Sequence, residues 1–74
     1  MQVHYRAVGE IKQKLERPEG MITLNGSSDV NQLLDKLGVD DDDLVVMVNG
    51  RKADGSDRLQ DGDQVVIVPF VVGG

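Results

Sequence analysis

Apolar and polar residues alternate at the start of the chain, with Val3, Tyr5 and Ala7 on one side and Gln2, His4 and Arg6 on the other. A period of two with one polar face predicts a half-buried strand over residues 2–8. Residues 9–19 are charged, and Ile11 and Leu15 sit at a spacing that allows a short helical turn. Pro18-Glu19-Gly20 is expected to end that segment in a turn. Met21 to Leu24 predicts a second strand, with Ile22 and Leu24 inward and Asn25-Gly26 closing it.

The helical signal is sharper. Val30, Leu33, Leu34 and Leu37 recur at i, i+3, i+4 and i+7, which makes one apolar stripe. Ser27, Ser28 and Asp29 offer N-cap oxygens. Asp29 with Gln32 three residues on matches a capping box, and Gly38 suits the left-handed position past the helix end. Leu44 to Val48 is a nearly continuous apolar run, expected for a strand with contacts on both faces. Asn49-Gly50 predicts a tight hairpin turn into Arg51-Lys52-Ala53. Leu59 is an isolated apolar anchor before the turn Asp61-Gly62-Asp63. Val65 to Val68 is the last strand, limited by Pro69, which has no amide to donate.

Strand, strand, helix, strand, short strand, strand predicts a mixed sheet of four to five strands with one main helix packed on one face, an α+β fold. The first and last strands are expected to lie side by side and parallel, joined by a right-handed crossover. This is the β-grasp, or ubiquitin-like, arrangement. Residues 1–74 then form a single domain with a flexible tail over 69–74.

Composition narrows the chemistry. The 74 residues leave no room for a deep enclosed active site, and the aromatics are only Tyr5 and Phe70. The net charge of −5 argues against nucleic acid and against an anionic membrane surface as partners. There is no cysteine, so disulfides, thiolate catalysis and cysteine-bound metal are excluded. That composition, with no signal peptide and no apolar run of membrane-spanning length, predicts a cytoplasmic protein.

The side chains offer few catalytic arrangements. His4 is the single histidine, and no spacing gives it a triad or metal partner, so it reads as an exposed sheet residue. Asp40 to Asp43 and the group Asp54, Asp57, Asp61 and Asp63 lack the calcium-loop spacing and read as solvated loops. Electrostatic steering by these aspartates towards a basic partner groove is the alternative. No metal site is expected. No phosphate-binding glycine loop followed by Lys-Ser/Thr exists, so the chain has no means of activating a substrate with ATP.

The end of the chain is more informative. Val71-Val72-Gly73-Gly74 closes the sequence. Glycine has no Cβ, so a Gly-Gly end fits a narrow channel and leaves its carbonyl open to attack. Extended, residues 69–74 reach about 20 Å from the last strand. With the strand parity above, Met47, Val66, Val68 and Phe70 face away from the helix and form an apolar docking patch beside the tail.

The helix VNQLLDKLG at 30–38, the strand-turn VVMVNGR at 45–51, the segment LQDGDQVVIVPF at 59–70 and the terminal Gly-Gly, in this order, resemble the MoaD/ThiS sulfur carriers, prokaryotic relatives of ubiquitin. The insertion over 9–19 and the Val68-Pro69 step are more similar to the MoaD branch. Phe70 departs from it, standing where such chains often carry a second proline. The resemblance implies a sulfur carrier that is no enzyme by itself, or is the small subunit of a sulfur-transferring synthase such as molybdopterin synthase. On this resemblance the Gly74 carboxylate, with Gly73 before it, would be adenylated by a separate MgATP-using enzyme of the MoeB/ThiF type. The resulting thiocarboxylate would donate sulfur to a cofactor precursor on a partner of the MoaE type or on thiazole synthase. Molybdopterin is favoured and thiamine thiazole is next. No cofactor is expected on this chain. Met47, Val66, Val68, Phe70, Val71 and Val72 would bind the partners. A ubiquitin-like modifier, joined through Gly74 to target lysines, and an inert β-grasp interaction module are the alternatives.

Overall fold

The computed structural model describes residues 1–39 and 44–70. Strand β1 spans Gln2–Ala7 and β2 spans Glu19–Thr23, helix α1 spans Val30–Leu37, and β3 (Leu44–Val48), β4 (Arg51–Ala53) and β5 (Gln64–Pro69) follow. The sheet order is β2-β1-β5-β3-β4. β1 and β5 are parallel, as the sequence pattern predicts, and the other pairings are antiparallel.

The helix forms where the stripe and its caps place it. Asp29 Oδ1 accepts from the Gln32 amide at 2.9 Å, and Gln32 Oε1 accepts from the Asp29 amide at 2.9 Å. Of the three N-cap residues offered by the sequence, Asp29 is the one that caps. Gly38 adopts φ 76, and the Val39 amide donates to the Leu34 carbonyl at 3.0 Å. This closes the orphan carbonyls of the last turn and folds Val39 into the core. Val30 and Leu33 are buried against Val3, Val46, Val65 and Ile67 of the sheet, with Leu34 and Leu37 partly buried beside them.

Two segments differ from the sequence expectation. Pro18-Glu19-Gly20 does not form a turn: Glu19 and Gly20 belong to β2, and the Ala7 amide donates to the Pro18 carbonyl at 2.7 Å. Gly20 lies opposite Tyr5, whose ring crosses the glycine and whose hydroxyl donates to the Arg17 carbonyl at 3.0 Å. The local turn signal of Pro and Gly is thus overridden by long-range pairing. Secondly, Pro69 is not part of the tail but the last residue of β5, paired with Leu44. Its missing amide is tolerated at a strand end.

The 9–19 insertion carries a 3-10 helix over Gly9–Lys14, which buries Ile11; Leu15, just after it, is also buried. It packs on β5. Gly9 has φ 66, and a Cβ there would meet Pro69 Cγ at 2.9 Å. Both the backbone angle and the close approach therefore require glycine.

The β3–β4 hairpin turns on Asn49 (φ 52) and Gly50 (φ 81). Two positive φ values are the type I′ geometry that matches strand twist. Asn49 also ties the turn to β5. Its Nδ2 donates to Asp63 Oδ1 at 2.9 Å, and its Oδ1 accepts from the Gln64 amide at 3.0 Å. Asn49→Ala removes both bonds and puts a poor residue in the left-handed region. We expect a loss of about 2 kcal/mol in urea unfolding. Asn49→Gly, which relieves the backbone, should recover part of that loss.

Candidate functional site

The sheet has one face on the helix and one away from it. Val46, Val65 and Ile67 are buried on the helix side, so their neighbours Val45, Met47, Val66 and Val68 project from the other. All four are half-buried, and none is part of the core cluster. In register, Val45 pairs with Val68 and Met47 with Val66, which makes one contiguous apolar stripe across β3 and β5. Phe70, one residue past β5, is 54% exposed. The sequence parity therefore holds for Met47, Val66 and Val68. Val45 was missed, although the same alternation contains it.

The stripe is flanked by charge. One row crosses all five strands in register: Lys52, Met47, Val66, Arg6, Glu19. The next row brings His4 between Gln64 and Met21, which is 63% exposed. His4 Nε2 lies 3.5 Å from Glu19 Oε1, so the histidine is partnered across the strands. Lys52 and Arg6 are exposed and form no ion pair among the described residues.

Gly73, Gly74, Val71 and Val72 lie outside the described residues, as do Asp40 to Asp43. Strand β5 and the start of β3 meet at Leu44–Pro69, so the chain leaves the sheet at the Val45–Val68 end of the stripe.

Asp57, Asp61 and Asp63 each accept hydrogen bonds through their carboxylates. Asp57 Oδ2 accepts from the Asp54 amide at 2.9 Å, and Asp61 Oδ1 accepts from the Gln2 amide at 2.7 Å. Asp63, buried, accepts from Asn49 and from the Gln60 amide at 2.8 Å. These carboxylates close turns and satisfy amides, roles that solvated loops did not anticipate. Among the described residues, no group of three His, Asp or Glu could hold a metal ion. No helix among them is long and apolar enough to cross a membrane.

A mixed five-stranded sheet in this order, with parallel first and last strands and one helix across a single face, defines a ubiquitin-like β-grasp protein. Solved structures of similar fold include small archaeal modifier protein 1 of Haloferax volcanii (TM-score 0.82, 18% identity, 100% of both chains covered). They also include a Pyrococcus furiosus protein described as molybdopterin converting factor, subunit 1 (TM-score 0.82, 24% identity, 96% of this chain and 99% of that one). A third is the complex of subunits 1 and 2 of molybdopterin-converting factor from Helicobacter pylori (TM-score 0.69, 23% identity, 100% of both chains). The chain belongs to the ThiS family, whose profile matches residues 6–74. No curated protein shows significant sequence similarity to it.

Proposed function

We propose that this chain is a sulfur carrier that works through the carboxylate of Gly74. Membership of the ThiS family over residues 6–74 carries the reading, because that span includes the Gly73-Gly74 end. A separate adenylating enzyme of the MoeB/ThiF type binds MgATP. A Gly74 carboxylate oxygen attacks the α-phosphorus, pyrophosphate leaves, and an acyl-adenylate forms. A sulfur nucleophile then adds to the acyl carbon and AMP departs, which leaves a thiocarboxylate. The side chains near the tail do no chemistry. They dock the domain while Gly73-Gly74 enters the partner's site.

The acceptor is a synthase subunit of the MoaE type, making the chain the small subunit of a molybdopterin synthase; thiazole synthase is second. The helical insertion over Gly9–Lys14 and the fold shared with subunit 1 of the Helicobacter pylori complex support the first. Intact mass spectrometry tests the reading. The protein, incubated with the adenylating enzyme, MgATP and a sulfide source, should gain the mass difference of one sulfur replacing one oxygen. Unchanged mass would sink it.

The full-length fold match to small archaeal modifier protein 1 favours a second reading, a protein modifier. Its signature is a larger species in which Gly74 is joined to a lysine amine, and the same spectrum detects it.

Met47 is the probe of docking. Its position in the middle of the outer row means that Met47→Asp buries nothing in the core. The unfolding free energy should stay within about 0.5 kcal/mol of wild type. Affinity for the adenylating enzyme, measured by calorimetry, should fall by about 2 kcal/mol, roughly thirtyfold.

A further inference from the structure

We infer that Asn25-Gly26 is a site of spontaneous covalent modification, where Asn25 converts to aspartate and isoaspartate, while the fold holds the identical dipeptide Asn49-Gly50 unreactive. The inference stands apart from the carrier reading, since it needs neither Gly74 nor a partner.

The sequence holds two Asn-Gly pairs. In such a pair the glycine nitrogen can attack the asparagine side-chain carbonyl, because no Cβ crowds the approach. The Gly26 nitrogen gives its proton to hydroxide and bonds to Asn25 Cγ. The Cγ–Nδ2 bond breaks, and Nδ2 takes a proton from water and leaves as ammonia. A cyclic succinimide remains, and water opens it at one of two carbonyls. Addition at Cγ gives aspartate. Addition at the main-chain carbonyl carbon gives isoaspartate, whose backbone runs on through Cβ and Cγ. The net change consumes one water, releases one ammonia and needs no other reactant.

Exposure does not separate the two pairs, because both asparagines and both glycines are exposed. Space does not separate them either: nothing lies within 4 Å of a Cβ built on Gly26 or on Gly50. Bonding does. The Asn49 side chain is clamped at both ends, with Nδ2 donating to Asp63 Oδ1 at 2.9 Å and Oδ1 accepting from the Gln64 amide at 3.0 Å. The Asn49 amide also donates to the Gln64 carbonyl at 2.8 Å. Carrying Cγ to the Gly50 nitrogen breaks both side-chain bonds. The Asn25 side chain makes no hydrogen bond among the described residues, and neither does the Gly26 amide.

The two products differ in what they do to the fold. Asn25 lines a groove with Thr23, Gln32 and Lys36, and Lys36 Nζ donates to the Thr23 carbonyl at 2.7 Å. Aspartate adds a charge to the groove that holds this ammonium and leaves the backbone as it was. Isoaspartate lengthens the chain between Leu24 and Ser28, both of them buried. The Ser28 amide donates to the Asn25 carbonyl at 3.1 Å, and the Ser28 carbonyl accepts from the Leu59 amide at 3.0 Å. An extra methylene pulls at this turn just before the Asp29 cap, so the isoaspartate form is the less stable one.

The test is incubation of the full-length protein in mildly alkaline buffer, followed by peptide mapping with mass spectrometry. The readout is replacement of a side-chain amide by an acid, with fragmentation that distinguishes aspartate from isoaspartate. In the folded protein Asn25 should convert roughly thirtyfold faster than Asn49, the factor set by two hydrogen bonds that must break. In urea above the unfolding midpoint the two rates should come within about threefold of each other, because the clamp is gone. Gly26→Ala should slow Asn25 by about tenfold or more with an unchanged unfolding midpoint, since Gly26 is open and has no positive φ. Folded-state rates within about threefold of each other would overturn the inference, as would an Asn25 that stays intact. Rates that remain apart in urea would trace the contrast to local sequence instead of the fold. A Gly26→Ala protein that converts as fast as wild type would remove the succinimide route.

Discussion

Leu33→Ala should bring the domain close to unfolding at ordinary temperatures. Leu33 is 0% exposed and sits in the centre of the only α-helix among the described residues, at the meeting point of helix and sheet. Truncation of such a leucine costs about 3–4 kcal/mol, the sum of lost transfer energy and a residual cavity. A chain of 74 residues carries in total about 4–11 kcal/mol at ordinary stability per residue. The loss is therefore a third of the stability at best and nearly all of it at worst. The buried residues of β1, β3 and β5 in the same core are held by strand pairing and cannot collapse inward to fill the gap. Thermal unfolding followed by circular dichroism should show a midpoint lowered by about 15–25 °C. A drop of less than about 5 °C would mean that the helix is not the clamp described here.

Deletion of Gly73-Gly74 should have the opposite profile, full stability with no activation. Both residues follow Pro69, which is the last paired position among the described residues and lies opposite Leu44. Unfolding should match wild type within about 0.5 kcal/mol. On the carrier reading, the new terminal carboxylate belongs to Val72, two residues short and carrying a branched Cβ. Two residues of extended chain are about 7 Å, far outside the near-attack distance of about 3–3.5 Å. Pyrophosphate release by the adenylating enzyme should fall to background. Binding through the sheet face should persist, which separates docking from chemistry in one variant. A truncated protein that is still adenylated would remove Gly74 from the mechanism.

The sequence made the helix legible because all its determinants are local: a stripe of four apolar residues, a capping box closing within three positions, and a terminal glycine. Strand parity was legible for the same reason, since alternation decides the face without knowledge of the neighbours. The parts that escaped depend on what lies opposite. Glu19 and Gly20 become strand because β1 offers them partners and Tyr5 covers the glycine. Asp61 and Asp63 satisfy amides and a side chain brought from as far as Gln2 and Asn49. The cations Lys52 and Arg6 lie 46 positions apart in sequence and become flanks of one stripe only once the strand order is known. At the candidate site, the outward residues of β3 and β5 were readable, whereas their charged surroundings were not.

The position of β5 has a consequence for how the protein is made. The last strand to leave the ribosome is the middle strand of the sheet, bracketed by β1 on one side and β3 on the other. Until it arrives, β1–β2 and β3–β4 are two separate hairpins with no shared edge, and a lone hairpin is marginal in water. The chain must then close a loop from β1 to β5 that spans most of its length, a step that favours late, concerted folding. Folding therefore waits for residues 64–69, the strand that joins the two hairpins. A chain cut short before residue 64 lacks the bridging strand and presents no docking face.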